Sequence, residues 1–412
     1  MASFSRIFRD FVSRRLRRGE GGNVAIVFAL TLPVVVGGAG LGVETSYWYY
    51  SSLKLQATAD AAAYAGALEK IQGSDTAAIT TAATQSATDN GLGAGTITVN
   101  TPPTSGPNTA KKAVEVIVKQ NLDRMFTAIF TQTKVPEQAR AVALITDGAY
   151  ACNTALNPSA SQAVSISGNT SLKQIGCVIN ANSIAADAIK VQGSATLQTD
   201  CLIAVGGVSL SNSPTMVCKA PITGALPVSD PFSSLPAPTT SGSCQNVNGG
   251  KSTQTIQPGT YCNGMNLNGN VTLSPGVYVV EGNLKINAGA VIQGDGVTIY
   301  MTGSNTVSMN GNATVMLSAP TSGTYSGMLF YGDRTGTSAS STFNGTADSL
   351  LTGAIYFPRQ QVNYLGNFSG TGGCTQVVAD KIQWSGSTTI KQDCTSLGMK
   401  NIPAAQTVQI VE

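Results

Sequence analysis

The eight cysteines are the residues of this chain best suited to covalent chemistry: Cys152, Cys177, Cys201, Cys218, Cys244, Cys262, Cys374 and Cys394. Their number is even and none precedes position 152, a distribution that fits disulfides formed in an oxidising compartment. Eight cysteines admit on the order of a hundred connectivities. Sequential pairing is the expectation, because it closes four loops of comparable length, with 24, 16, 17 and 19 residues between partners. The rival chemistry is a metal site. With no CxxC and no histidine anywhere, the usual zinc donors are missing, and neither metal nor cofactor is expected.

The missing histidine also removes imidazole-based catalysis. Ser-His-Asp and Cys-His arrangements need a base with a near-neutral pKa, and HExxH metal sites need the same ring. Gly249-Gly250-Lys251-Ser252 imitates the end of a phosphate-binding loop, but the glycine required five positions earlier is Gln245. Asp333-Arg334, Arg359 and Asp380-Lys381 are the notable charged groups of the C-terminal region. A polysaccharide lyase or hydrolase would draw on such groups, yet no constellation of paired carboxylates accompanies them. An enzyme is therefore not expected. Tyr278, Tyr300, Phe330, Tyr331, Tyr356 and Phe357 have the chemistry to stack on sugars; the default expectation is that alternate members pack in a core.

Membrane topology is the strongest element-level signal. Residues 24–43 form a run of twenty without a charge, the length that crosses a bilayer as a helix. The first twenty residues carry six arginines, Arg14, Arg15, Arg17 and Arg18 among them, against two acids. That excess holds the N-terminus in the cytoplasm and sends the rest outward. A cleaved signal peptide is the competing reading, since Gly38, Gly40 and Gly42 leave a cleavage site conceivable. Against it, Val43, Tyr47, Tyr50, Leu53, Ala57, Ala61, Tyr64 and Leu68 continue the helical period past the membrane. Tyr47, Trp48, Tyr49 and Tyr50 form an aromatic belt at the outer interface. The spacing predicts one rod over 24–70, kinked or bent at Pro33. Gly38 and Gly42 form a small-residue pair for helix packing in lipid, and Asp60 lies on the wet face of the alanine-rich half. Beyond residue 20 the chain has 18 basic and 19 acidic residues; no basic stripe exists there for nucleic acid.

After the rod, residues 71–94 continue or end the helix near Asn90-Gly91. Strands are expected over 96–101, 113–119 and 139–145, with a helix over 121–130 that puts Leu122, Phe126 and Ile129 on one face. From Cys152 onward a heptapeptide recurs: Ile166-Ser-Gly-Asn-Thr-Ser-Leu172, Val191-Gln-Gly-Ser-Ala-Thr-Leu197, Leu267-Asn-Gly-Asn-Val-Thr-Leu273, Met309-Asn-Gly-Asn-Ala-Thr-Val315 and Trp384-Ser-Gly-Ser-Thr-Thr-Ile390. A second series begins at Gly259, Gly276, Gly296, Gly327 and Gly353, at steps of 17, 20, 31 and 26 residues. These are lengths of one solenoid coil. A parallel β-helix is favoured over a Greek-key sandwich, which would not repeat one heptapeptide so nearly. The proline-rich stretch 221–243 reads as a linker or surface excursion between two stacks.

The N-terminal segment resembles a known family. Gly21-Gly-Asn-Val-Ala-Ile-Val-Phe-Ala-Leu-Thr-Leu-Pro33, Gly40-Leu-Gly-Val-Glu44 and Leu55-Gln-Ala-Thr-Ala-Asp-Ala-Ala-Ala-Tyr-Ala-Gly-Ala67 are similar to the N-terminal module of TadE/TadG-like Flp pilus-assembly proteins. The resemblance is strong over about fifty residues and loose over 71–150 as a pilin-like head. It implies an inner-membrane component of a machine that assembles thin adhesive pili. Two departures stand out. Where cleaved members carry a glutamate before the phenylalanine, this chain has Val27 before Phe28, which implies a retained anchor. The Asp-x-Ser-x-Ser site of larger members does not occur.

The expected fold is therefore a single N-terminal transmembrane helix extended into a pilin-like α+β head, followed by an all-β parallel β-helix. The expected divisions are a cytoplasmic basic segment (1–23), the span (24–43), the pilin-like segment (44–150), the β-helix (151–400) and a tail (401–412). The expected role is that of a non-enzymatic pilus-assembly component, single-pass in a bacterial inner membrane, with its bulk periplasmic or extracellular. Its partners would be pilins or other assembly proteins, with lipid touched through one helix and no nucleic acid. A cell-surface adhesin or carbohydrate-binding protein, with a glycan or outer-envelope partner, is the alternative.

Overall fold

A computed structural model of the chain describes residues 22–239, 242–247, 253–365, 374–386, 388–391 and 399–412. The arginine-rich start, Gly249 to Ser252 and Cys394 lie outside the described residues. The chain divides into two compact units. One contains 1–70, 74–144 and 408–412; the other contains 71–73 and 145–407.

The first unit is built on α1 (Gly22–Ile71), one uninterrupted helix of 50 residues with Pro33 inside it, about 75 Å long at 1.5 Å per residue. Its two halves differ in chemistry. Apart from Thr31, whose hydroxyl donates back to Val27 O at 2.9 Å, the side chains from Val24 to Val36 are exposed apolar groups, and the helix is long and apolar enough to cross a membrane. Beyond Glu44 the helix becomes a packed one: Leu55, Ala59, Ala62, Ala63 and Ala67 are buried. Gly73, at φ +81°, breaks the chain before α2 (Thr76–Asp89), where the Asp75 side chain caps the first turn by accepting from Ala78 N–H at 2.8 Å. Ile79, Ala83 and Ala87 line its inner face. Small residues let these layers approach closely. A Cβ added to Gly66 would sit 3.1 Å from Val114 Cγ1 and 3.5 Å from Ala83 Cβ.

The sheet of this unit is antiparallel. β1 (Thr96–Asn100) pairs with β2 (Ala113–Leu122), and β2 pairs with the first half of β3 (Val135–Ala155), in register from Ala113↔Leu144 to Leu122↔Val135. Val114, Val116 and Val118 are fully buried, each stabilising the layer by about 1.5–3 kcal/mol. The helix expected over 121–130 is absent. Leu122 ends β2 instead, and only Thr127–Ile129 forms a single 3-10 turn.

The second unit is a parallel β-helix of about ten turns, three-sided in its strand pairing. The repeated heptapeptides are its corners. In each, the first apolar residue ends one strand, a glycine turns the chain, and the last apolar residue sits in the next strand. Gly168, Gly193 and Gly269 adopt φ +73°, +74° and +66° there, a backbone region costly for other L-residues. Stacking is parallel throughout: Gly259–Tyr261 on Gly276–Val280, that on Val297–Met301, and that on Met328–Gly332. Ile166, Leu172, Leu267, Ile286, Val315 and Trp384 fill the interior.

Chain order and stacking order differ. Strand Thr375–Trp384 stacks on Leu350–Tyr364 on one side and on Asn153–Ala155 and Val164–Ile166 on the other. The rungs of 151–222 therefore continue the stack beyond its C-terminal rung. The chain enters in mid-stack, runs to one end, and passes through 223–253 to begin again at the other.

Candidate functional site: the N-terminal module and the face of the β-helix

Buried positions along α1 begin inside the apolar run: Gly40 and Glu44 are buried and Trp48 is half-buried, followed by buried Ser51 and Leu55. These positions share one helical face. The segment after β2 covers the first of them. The Glu44 carboxylate accepts hydrogen bonds from Met125 N–H at 2.9 Å and from Thr127 N–H and Oγ1–H at 2.8 and 2.9 Å. Phe126 lies against Gly40, where any Cβ would collide with its ring. Arg124 stands 5.7 Å over the Trp48 ring, in cation–π range. Gly40 is a contact that sequence reasoning missed. Gly38 and Gly42 instead have open space, with nothing within 4 Å of an added Cβ.

Further along α1, the Leu55–Ala62 stretch bonds to the segments packed on it. Gln56 Nε2 donates to Arg140 O at 3.0 Å and to Asp60 Oδ1 at 2.8 Å. Thr58 Oγ1 donates to Asn90 O at 3.1 Å. Asp60 is half-exposed. On β2, Glu115 is fully buried and accepts from Thr104 N–H (3.0 Å) and Oγ1–H (2.8 Å), Asn100 Nδ2 (2.8 Å), Ser105 Oγ (3.1 Å) and Arg140 Nε (2.7 Å). Burial opposes its ionisation, but these donors outweigh burial and hold the carboxyl at about 2. An open trough of about 760 Å³ is bordered by Thr96, Lys119, Asn121, Lys134 and Glu137.

On the β-helix, the charged groups singled out in the sequence hold structure together. Asp333 accepts from Gly303 N–H at 2.9 Å and from Thr335 N–H and Oγ1–H at 2.8 Å. Burial would raise its carboxyl, yet these backbone donors outweigh burial and keep it below the usual range. Arg334 ties down the proline-rich segment. It donates through Nη2 to Phe232 O and to Leu235 O (2.7 Å), and through Nε to Tyr356 Oη (2.9 Å), whose O–H donates to Asp230 at 2.6 Å. Tyr331 Oη donates to Leu235 O at 2.9 Å. Arg359 reaches Gly336 O at 3.4 Å, and Asp380 accepts from Asn157 Nδ2 at 3.0 Å. The structure brings Asp333 and Arg334 to one turn and leaves Arg359 and Asp380 bonded elsewhere.

All six ring residues are buried, and alternate members fill the interior as the sequence led one to expect. Tyr278, Phe330 and Phe357 face the interior, while Tyr300, Tyr331 and Tyr356 join an outer cluster with Phe232, Met399 and Ile402. The outer faces of these strands are covered by the proline-rich strap and by a C-terminal strand (Ile402–Ile410) where the sequence suggested a tail, cover which the period-two reading had no means to anticipate. A polar groove of about 310 Å³, lined by Ser161, Gln162, Gln192, Gln361, Lys381 and Gln383, remains open on another face.

Disulfides join Cys152 to Cys177, Cys201 to Cys218 and Cys244 to Cys262, with Cα–Cα separations of 5.6, 5.4 and 5.5 Å. Cys374 is also disulfide-bonded. Among the described residues no group of three or more His, Cys, Asp or Glu side chains could hold a metal ion.

Residues 22–69 match the Flp pilus-assembly TadE/G-like family. The matched stretch coincides with α1, so the N-terminal module of this chain is TadE/G-like. Residues 237–396 match a domain of unknown function, DUF7305. That match spans the end of the strap and the rungs from Gln254 to Trp384. No curated protein and no solved structure matches the chain.

Proposed function

We propose that the protein is a non-enzymatic structural component of an Flp pilus-assembly system. It is held in the bacterial inner membrane by residues 24–43, with the N-terminus in the cytoplasm and the chain from residue 44 onward outside it. The observation that carries this reading is the coincidence of the TadE/G-like match with α1. The bare apolar half suits lipid, and the alanine-rich half is the scaffold on which the head sheet folds. The protein works by contact, engaging pilins or other assembly proteins, and Gly38 and Gly42 supply a close-approach face for a second membrane helix. The disulfides fit an oxidising periplasm. Deleting residues 1–70 from the chromosomal copy is expected to release the protein from membranes and abolish piliation. Normal pili in that strain would refute the assignment.

A second reading has one observation in its favour. The polar groove between Ser161 and Gln383 offers amide and hydroxyl groups in the manner of a glycan-binding surface, as a surface adhesin would require. Binding of the intact protein to a glycan array, with piliation preserved after the deletion, would favour it.

A further inference from the structure

We propose that residues 125–130 form a second membrane contact, a wedge that enters the outer leaflet beside α1. This inference rests on the anchoring of residues 24–43 in a bilayer. The segment begins one residue after Arg124 and reads Met-Phe-Thr-Ala-Ile-Phe. Ile129 and Phe130 are 84% and 85% exposed, and Met125 and Phe126 are 48% exposed, so the turn points large apolar groups away from its own unit. Water is a poor solvent for such a cluster.

Its height on the helix identifies the occupant. Phe126 packs on Gly40, and Gly40 lies three residues inside the apolar run that ends at Val43, about 5 Å below its outer end at 1.5 Å per residue. Any bilayer that accommodates residues 24–43 therefore surrounds Phe126, and the adjoining Ile129 and Phe130 meet the acyl–headgroup boundary. The rim has the composition of that boundary. Trp48 stands one turn above Glu44, Tyr49 and Tyr50 are largely exposed, and Arg124 and Lys134 flank the segment. The turn is also preorganised. Glu44 accepts from the N–H groups of Met125 and Thr127, which pairs these two donors at the start of the turn and fixes its backbone against α1.

The test uses the full-length protein in nanodiscs of phosphatidylethanolamine and phosphatidylglycerol, labelled with a polarity-sensitive fluorophore at one introduced cysteine. No free cysteine occurs among the described residues. Phe130→Cys reports the wedge, Val34→Cys the span, and Gln85→Cys, on the exposed side of α2, the aqueous reference. Lipids carrying a doxyl quencher near the headgroup are expected to quench position 130 at least about twofold more than position 85. Position 34 is expected to respond more to a quencher deep in the acyl region. If position 34 is quenched and 130 behaves like 85, the wedge is refuted and anchoring stands. A blue-shifted but unquenched label at 130 would mean that protein covers it, and would equally overturn the proposal. An unquenched label at 34 would remove the anchor and the wedge together.

Discussion

Arg140 Nε lies 2.7 Å from Glu115 Oε1, joining a fully buried carboxylate to a guanidinium whose side chain is 23% exposed. The carboxyl is held at about 2, against an ordinary value of 4.5. Because its folded value is depressed, the stability it confers is complete above pH 4.5 and is lost as pH falls through about 2. Glu115→Gln is expected to cost about 3 kcal/mol at neutral pH by breaking a buried pair. It should also flatten the acid dependence in that window. Hydrogen exchange at residues 113–122 as a function of pH measures both effects, which a whole-chain melting curve would blur.

Gly66 predicts a packing limit. A side chain there meets Val114, Ala83 and Ile79 at ordinary or tighter contact. Gly66→Leu is expected to destabilise the head by about 1–3 kcal/mol despite the better helix propensity of leucine. Thermal unfolding followed by Trp48 emission, with Trp384→Phe in both proteins so that Trp48 emits alone, reads the change.

Arg334 predicts a local release. Arg334→Ala removes the donors that hold Phe232 O and Leu235 O. Proteolysis within 225–239 should accelerate at least about tenfold, on the ~1.5–3 kcal/mol scale of charge-assisted bonds. The rungs should keep their exchange protection. Unchanged cleavage would mean that Tyr331 and Asp230 suffice.

Sequential cysteine pairing predicts a peptide map. Non-reducing digestion should recover 152–177, 201–218, 244–262 and 374–394 as linked pairs. Changing Cys201 and Cys218 to serine should cost about 3 kcal/mol for a loop of this size. A crossed map would overturn the pairing.

Legibility followed the range of the interactions. The rod was readable because a charge-free run and a three-to-four periodicity are local properties, and the β-helix because one corner heptapeptide recurs five times along it. Residues 121–130 misled for a related reason. Leu122, Phe126 and Ile129 have helical spacing, but one pairs in β2, one meets Gly40, and one faces outward. Gly40 was one glycine among Gly37, Gly38, Gly40 and Gly42, and only the tertiary contact distinguishes it. Arg334 looked like a catalytic candidate because its partners, the carbonyls of Phe232 and Leu235, lie about a hundred residues upstream.

The seam between Thr375–Trp384 and Asn153–Ile166 has a consequence for how the molecule comes into being. A solenoid whose rungs lie in chain order can zip up as the ribosome delivers it. Here the earliest rungs wait for a neighbour translated more than two hundred residues later, and until it arrives one β-edge of 151–222 stays open to any passing strand. Biogenesis of this chain is thus a vulnerable interval that a holding chaperone would shorten, and that a truncated transcript would never leave.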